Sequence, residues 1–240
     1  MVNKHRAPVP LLMAAVTLCA LAAGCASLPR DPEGTLRRVQ GGRLRVGLVE
    51  HPPWVVRTSN EPEGAEVELA RRFAAELNAT PEWHWGNEGQ HMEALEHFEL
   101  DLVVGGITDK TAWAKYVGLT APYFEEAIMV GVPQGTPPPK DVEGVQVSAR
   151  GGEAVMAYLK KKGAVPLAVE DLSQARGAVA APQWQLEQLG LAGTDVVLAK
   201  ERHVMAIAPG ENGFLRRLEE FLHAQGGSQV KSLLAGAEAR

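Results

Sequence analysis

Asp101-Leu102-Val103-Val104-Gly105-Gly106-Ile107-Thr108-Asp109-Lys110 is the stretch on which the fold turns. Its apolar run is too brief for a helix and ends in two glycines, the pattern of a fully buried strand running into a bend. Working outward, Leu44-Arg45-Val46-Gly47-Leu48-Val49 alternates enough to be another strand, and Pro52-Pro53 stops it because proline cannot donate to a sheet ladder. Between the two strands, Gly64 opens a helix. Val67, Ala70, Ala74 and Leu77, with Leu69 and Phe73 beside them, form its apolar stripe, and Glu68 faces Arg72 at i,i+4. Residues 81–85 read as a strand and 91–98 as a helix with Met92, Leu95 and Phe98 on one face. Strand and helix alternating at this spacing predict a parallel sheet with right-handed crossovers.

The same cycle returns after an apolar stretch at 127–132 and the Pro137-Pro138-Pro139 punctuation. Residues 145–148 read as a strand, Arg150-Gly151-Gly152 precede a helix through Leu159, and 165–169 and 177–180 read as strands. A short helix follows Asp171, another spans 184–189, and 196–198 and 203–208 look extended. An amphipathic helix covers 214–222. The expected fold class is α/β with two lobes joined by two crossing strands. Lobe 1 takes 43–126 plus 207–240, and lobe 2 takes 127–206.

The first residues bear on compartment. Lys4, His5 and Arg6 precede an apolar run that is too short to span a bilayer and ends in small residues, so 1–24 read as a signal peptide. Leu21-Ala22-Ala23-Gly24-Cys25 resembles a lipobox, in which the Cys25 thiol is acylated. The alternative is a plain secretory signal with an incidental cysteine. Acyl chains would hold the protein at a membrane, since each buried methylene adds about 0.8 kcal/mol. Residues 25–42, with Pro29, Pro32, Gly34, Gly41 and Gly42, read as a lipid-anchored tether. Cys19 and Cys25 are the only cysteines, so no disulfide is expected in the mature chain. A net charge of −5 without a basic cluster argues against nucleic acid or an anionic membrane face as partner. No cofactor is expected, and the expected state is a monomer.

The first-lobe motifs resemble those of the bacterial extracellular solute-binding proteins, family 3, which mostly serve amino-acid ABC transporters. The likeness is carried by Pro52-Pro53-Trp54, by Gly64-Ala65-Glu66-Val67-Glu68-Leu69-Ala70, by residues 101–110 and by Thr120-Ala121-Pro122-Tyr123. It is looser in the second half, through Arg150-Gly151-Gly152 and the later strand–helix pairs. The resemblance implies a type II periplasmic-binding-protein-like fold with two hinge crossings. It also implies a small-molecule solute in the interlobe cleft and an ABC permease as partner, on the periplasmic side of a membrane. By family habit, Ala26 after the cysteine permits outer-membrane sorting.

The ligand-binding residues expected on this basis are His51, Trp54, Gly105, Gly106, Thr108, Lys110, Arg150, Gly151 and Gly152. Trp54 is either a flat apolar wall or a packed tryptophan. Gly105 to Thr108 should bring backbone N–H groups and a hydroxyl together at a helix start, a ready anion site. Arg150-Gly151-Gly152 should face it from the other lobe. Two departures from the family pattern matter. Where the family's Thr-x-x-Arg turn places a carboxylate-gripping arginine, this chain has Thr111, and Lys110 next door cannot fork. Residues 178–182 lack the acid that takes a ligand ammonium. A free α-amino acid is therefore not the expected ligand.

Two other classes compete with solute uptake. One is a sensory or interaction scaffold that keeps the fold without transport. The other is an enzyme, because the same fold occurs fused to lytic transglycosylases and as a dehydratase. The length remaining after Leu222 leaves no room for a fused glycosidase domain, and no catalytic residue is expected. Glu125 and Glu126 point to opposite faces of a strand. His51, His84, His91, His97 and His203 are scattered, so no metal site is expected. Trp83 and Trp85 read as packing ahead of a carbohydrate platform.

Overall fold

The computed structural model describes residues 30–150 and 153–238. The signal peptide, Cys25, Gly151 and Gly152 lie outside the described residues. Helix α1 (Thr35–Val39) leads into β1 (Arg43–Val49), α2 (Ala65–Glu76), β2 (Thr80–Gly86), α3 (Glu88–Glu96) and β3 (Leu102–Val104). A 3-10 turn (Ala112–Lys115) and β4 (Gly118–Leu119) precede the long strand β5 (Phe124–Pro133). Then come β6 (Gln146–Arg150), α4 (Glu153–Lys161), β7 (Val165–Val169), β8 (Ala178–Pro182) and α5 (Gln183–Gln188). The chain closes with β9 (Leu191–His203), β10 (Ala206–Ile207) and α6 (Asn212–Glu238).

The strands form two five-stranded sheets, ordered β2-β1-β3-β10-β4 and β7-β6-β8-β5-β9. In the first, β1 runs parallel to β2 and β3, while β10 is antiparallel to β3 and β4. In the second, β6 runs parallel to β7 and β8, and β5 is antiparallel to β8 and β9. This is the two-lobed α/β fold expected from the strand–helix alternation.

Side-chain alternation explains the layers. Val46, Leu48, Leu102 and Val104 point to one face of the first sheet, where α2 and α6 cover them with Phe73, Phe214, Leu218 and Phe221. The Phe73 ring lies 5.7 Å from Phe214 and 5.3 Å from Phe221. Val103 and Ala206 point to the other face and meet Met92 and Leu95 of α3. Helix α3 begins at Glu88, earlier than the expected His91, because Asn87 and Gln90 form a capping box. In the second sheet, Val147 and Ala180 pack with Leu159 on one face, and Val179 and Ala181 with Leu186 on the other.

The two passages between sheets are long strands. Phe124 is paired with His203, so β5 starts before the expected Ala127, and β9 runs well beyond the expected 196–198, with β10 following inside the expected 203–208. Helix α6 outruns its expected span and is kinked at Gly226 (φ 70°), which divides it into two halves. The second half crosses to the other lobe. Gln188 Nε2 donates to the Ala235 carbonyl at 3.2 Å, Lys231 Nζ to Glu187 at 2.5 Å, and Arg150 pairs with Glu238.

The tether expectation is corrected from residue 30 onward. The Asp31 carboxylate accepts from the Gly213 and Phe214 amides at 2.6 and 2.9 Å, at the start of α6. Glu211 in return accepts from the Glu33 and Thr35 amides at 2.9 and 2.8 Å, and Val39 is fully buried. Each carboxylate satisfies amides that a helix start leaves open, so this segment is folded onto lobe 1. No helix among the described residues is long and apolar enough to cross a membrane.

Asp101, at the foot of the deciding stretch, locks this segment to the sheet. Its carboxylate accepts from the Arg45 amide at 2.9 Å, the Arg45 guanidinium at 2.6 Å and the Arg38 guanidinium at 2.5 Å. Burial alone would raise its carboxyl, but the hydrogen bonds from Arg45 and Arg38 outweigh that and hold it below the usual range. A depressed folded-state value stabilises above the unfolded value of about 3.9 and is lost as pH falls through the folded value. Asp101→Asn should therefore cost about 2 kcal/mol at pH 7. In urea unfolding, that deficit should shrink toward pH 3.

Candidate functional site

The deciding stretch ends in a knot of buried polar contacts. Glu66 lies one residue into α2, on the helix face that also carries Leu69, Ala70 and Phe73, and it is fully buried. Its Oε2 accepts from the Gly105 and Gly106 amides at 2.6 and 2.8 Å. Its Oε1 accepts from the Tyr123 hydroxyl at 2.5 Å. Burial, and then the Glu66 charge, push that hydroxyl well above its ordinary range, so Tyr123 stays a donor. The backbone amides expected to await an anionic ligand are taken by a carboxylate of the chain itself.

Gly106 explains how tightly this corner is built. It adopts φ 67°, and a Cβ there would stand 2.6 Å from His51 Nδ1 and 2.8 Å from Trp54 Cδ1. Only glycine meets both demands. His51 Nδ1 donates to the Gly105 carbonyl at 2.9 Å. Trp54 is 3 % exposed, stacks on His203 with ring centroids 4.0 Å apart, and meets the Phe124 ring edge-on. The packed alternative therefore holds for Trp54, and an open wall does not.

The remaining expected residues are dispersed. Thr108 forms an isolated bridge with His203 and begins no helix. Lys110 Nζ donates to the Lys200 carbonyl at 3.2 Å, and the Thr111 hydroxyl donates to Glu88 at 2.8 Å. Arg150 is drawn to Glu238, whose hydrogen bond holds its guanidinium even more firmly charged. Glu238 also accepts from Gln185 at 3.0 Å.

The crossing strands supply the charge that the motif positions lack. Glu125 faces outward and pairs with Arg202 at 3.1 Å, while Glu126 faces inward, as strand alternation requires. Glu126 Oε1 lies 2.9 Å from His203 Nε2, and its Oε2 accepts from Trp184 Nε1 at 2.8 Å. Glu201 is the cross-strand partner of Glu126. The histidines were expected to stay scattered, yet the antiparallel pairing brings His203 together with two carboxylates. A cavity of about 670 Å³ lies elsewhere, between α2 and the second half of α6, with Glu68, Arg71, Arg72, Ser232 and Leu233 in its lining.

Sequence reading missed Glu66, Glu126, Glu201 and His203 as site residues. A signal existed for three of them. Glu66 is the one acid at a buried position of the α2 stripe, and Glu201-Arg202-His203 alternates with a two-residue period.

Comparison with known proteins places this geometry. The family model of the bacterial extracellular solute-binding proteins, family 3, matches residues 44–229. Among curated proteins, the membrane-bound lytic murein transglycosylase F of Shewanella pealeana is 27 % identical over 127 residues, 51 % of this chain and 26 % of that protein. That of Shewanella sediminis is 32 % identical over 103 residues, 41 % of this chain and 21 % of that protein. The matched part is thus about a quarter of these relatives' length. Among solved structures, an ancestral cationic amino acid solute binding protein superposes with a TM-score of 0.69 at 20 % identity, covering 85 % of this chain and 98 % of that one. The unliganded, open L-cystine solute receptor of Neisseria gonorrhoeae gives 0.62 at 15 % identity, covering 79 % and 90 %. Identities this low establish the shared fold alone.

Removing the Glu66 carboxylate strands two amides and a phenol in the core. Glu66→Ala should destabilise by about 3 kcal/mol and Tyr123→Phe by about 1.5 kcal/mol. Because they share one contact, the double variant should lose less than the sum in a denaturation cycle.

Proposed function

The chain belongs to the bacterial extracellular solute-binding proteins, family 3, and from that membership we propose that it holds a small polar solute between its lobes for ABC-type uptake. On this reading it is an envelope lipoprotein, anchored through Cys25 on the periplasmic side of a membrane, and not an enzyme. Its solute is not a free α-amino acid. One observation carries that statement: Glu66 fills the Gly105 and Gly106 amides. A ligand carboxylate would find those donors occupied and a negative charge beside them. Thr111 offers no fork, and its hydroxyl is spent on Glu88. With Glu126 and Glu201 on the crossing strands, the charge at the base of the cleft disfavours an anionic solute. Closure would proceed by a hinge in β5 and β9.

A second reading, a sensory or interaction scaffold without transport, is favoured by the second half of α6. Its contacts through Arg150, Gln185, Gln188 and Lys231 add a third link between the lobes.

A thermal-shift screen separates the two. A cognate solute at a hundredfold over its dissociation constant should add about 2.7 kcal/mol of stability. Amines, sugars and other polar solutes should include the hit, and free α-amino acids should not. Silence across the panel would leave the scaffold reading. For the anchor, Cys25→Ser should move the protein to the soluble periplasmic fraction on cell fractionation; persistence in the membrane fraction would refute acylation at Cys25.

A further inference from the structure

The two faces of the β5–β9 ribbon treat charge in opposite ways. On the outward face Arg202 sits between Glu125 and Asp109, at 3.1 and 3.0 Å. On the inward face Glu126 and Glu201 are register partners across an antiparallel ladder. Like charges directly opposed in a ladder are unfavourable, and no arginine pairs with either among the described residues. His203 completes the group. One ligand atom from each of Glu126, Glu201 and His203 lies within 4.8 Å of the other two.

Two of these side chains are fixed before any ion arrives. Those of His203 and Glu126 are 1 % and 6 % exposed. Trp54 stacks on the imidazole, and Trp184 Nε1 holds the second oxygen of Glu126. Yet the group is unfinished. His203 Nδ1 is buried with no hydrogen-bond partner among the described residues, whereas buried polar atoms are ordinarily satisfied.

We propose that Glu126, Glu201 and His203 form a binding site for a divalent first-row transition ion, Zn²⁺ foremost, on the inward face of the crossing strands. One imidazole and two carboxylates suit such ions, whereas Mg²⁺ and Ca²⁺ favour all-oxygen shells. Metal–ligand distances of about 2.0–2.2 Å set tetrahedral donors about 3.4 Å apart. His203 Nε2 and Glu126 Oε1 already lie 2.9 Å apart, and Glu201, only half-buried, can supply the remaining adjustment. A dication there removes the repulsion between the two carboxylates and leaves a coordination position for water or a solute donor. The site stands independently of the uptake reading.

The test is calorimetric titration of the full chain, purified without a histidine tag and stripped with EDTA, against Zn²⁺, Mn²⁺ and Mg²⁺. The expected result is one tight Zn²⁺ per chain, weaker Mn²⁺ and no response to Mg²⁺. Glu201→Gln should weaken Zn²⁺ binding at least tenfold with its unfolding midpoint in EDTA unchanged. Glu125→Gln, on the outward face, should bind as the unaltered chain does. His203→Gln should abolish the tight isotherm, with Glu201→Gln deciding the matter if that variant fails to fold. No tight Zn²⁺ binding by the unaltered chain, or equal binding by Glu201→Gln, would overturn the site. A chain that takes Zn²⁺ yet answers no solute in the thermal-shift panel retains the site and loses the uptake reading.

Discussion

Glu66 ties three separate pieces of chain to one point: the start of α2, the glycine bend after β3 and the entry to β5. A charge so deeply buried is tolerable only when both of its oxygens have donors. The bend at Gly105-Gly106 and the Tyr123 hydroxyl meet that demand together. Much else follows from it. Gly106 must be close enough to α2 for its amide to reach the carboxylate, which leaves room only for the rings of His51 and Trp54 on its other side. Trp54 in turn lies on His203, so lobe 1's core and the end of β9 share one packed surface.

That same constraint changes what the corner can do. A bend of backbone amides is attractive to anions because its dipoles converge. Once a carboxylate of the chain sits there, the dipoles stabilise the fold instead. A separate polar group lies on the crossing strands, where β5 and β9 set acids and an imidazole side by side. In this chain, then, the charge at the motif serves the fold, and a second group of acids with an imidazole lies on the ribbon.

Strand and helix alternation was legible because it depends on local periodicity. The stripe of α2 and the apolar run of β3 required no knowledge of partners. What escaped detection was long-range pairing. Nothing local tells that Glu126 will face Glu201, or that Asp31 will accept from Gly213 and Phe214; both depend on strand register or on the meeting of distant helix starts. Pro32, Gly34, Gly41 and Gly42 read as a linker for the same reason: their role in a folded strap shows only once α6 and Asp101 are beside them. Glycines were legible as bends, but a bend does not reveal what fills it.

The strap has a bearing on posture. Should Cys25 carry lipid, the strap at Arg30 would stand five residues from it, and a stretch of that length reaches about 18 Å at most. Lobe 1 would then stand moored beside the bilayer with little freedom to turn. Relative movement of the halves would fall to lobe 2, which would swing above a grounded partner while the floor of the ribbon kept a constant height over the lipid.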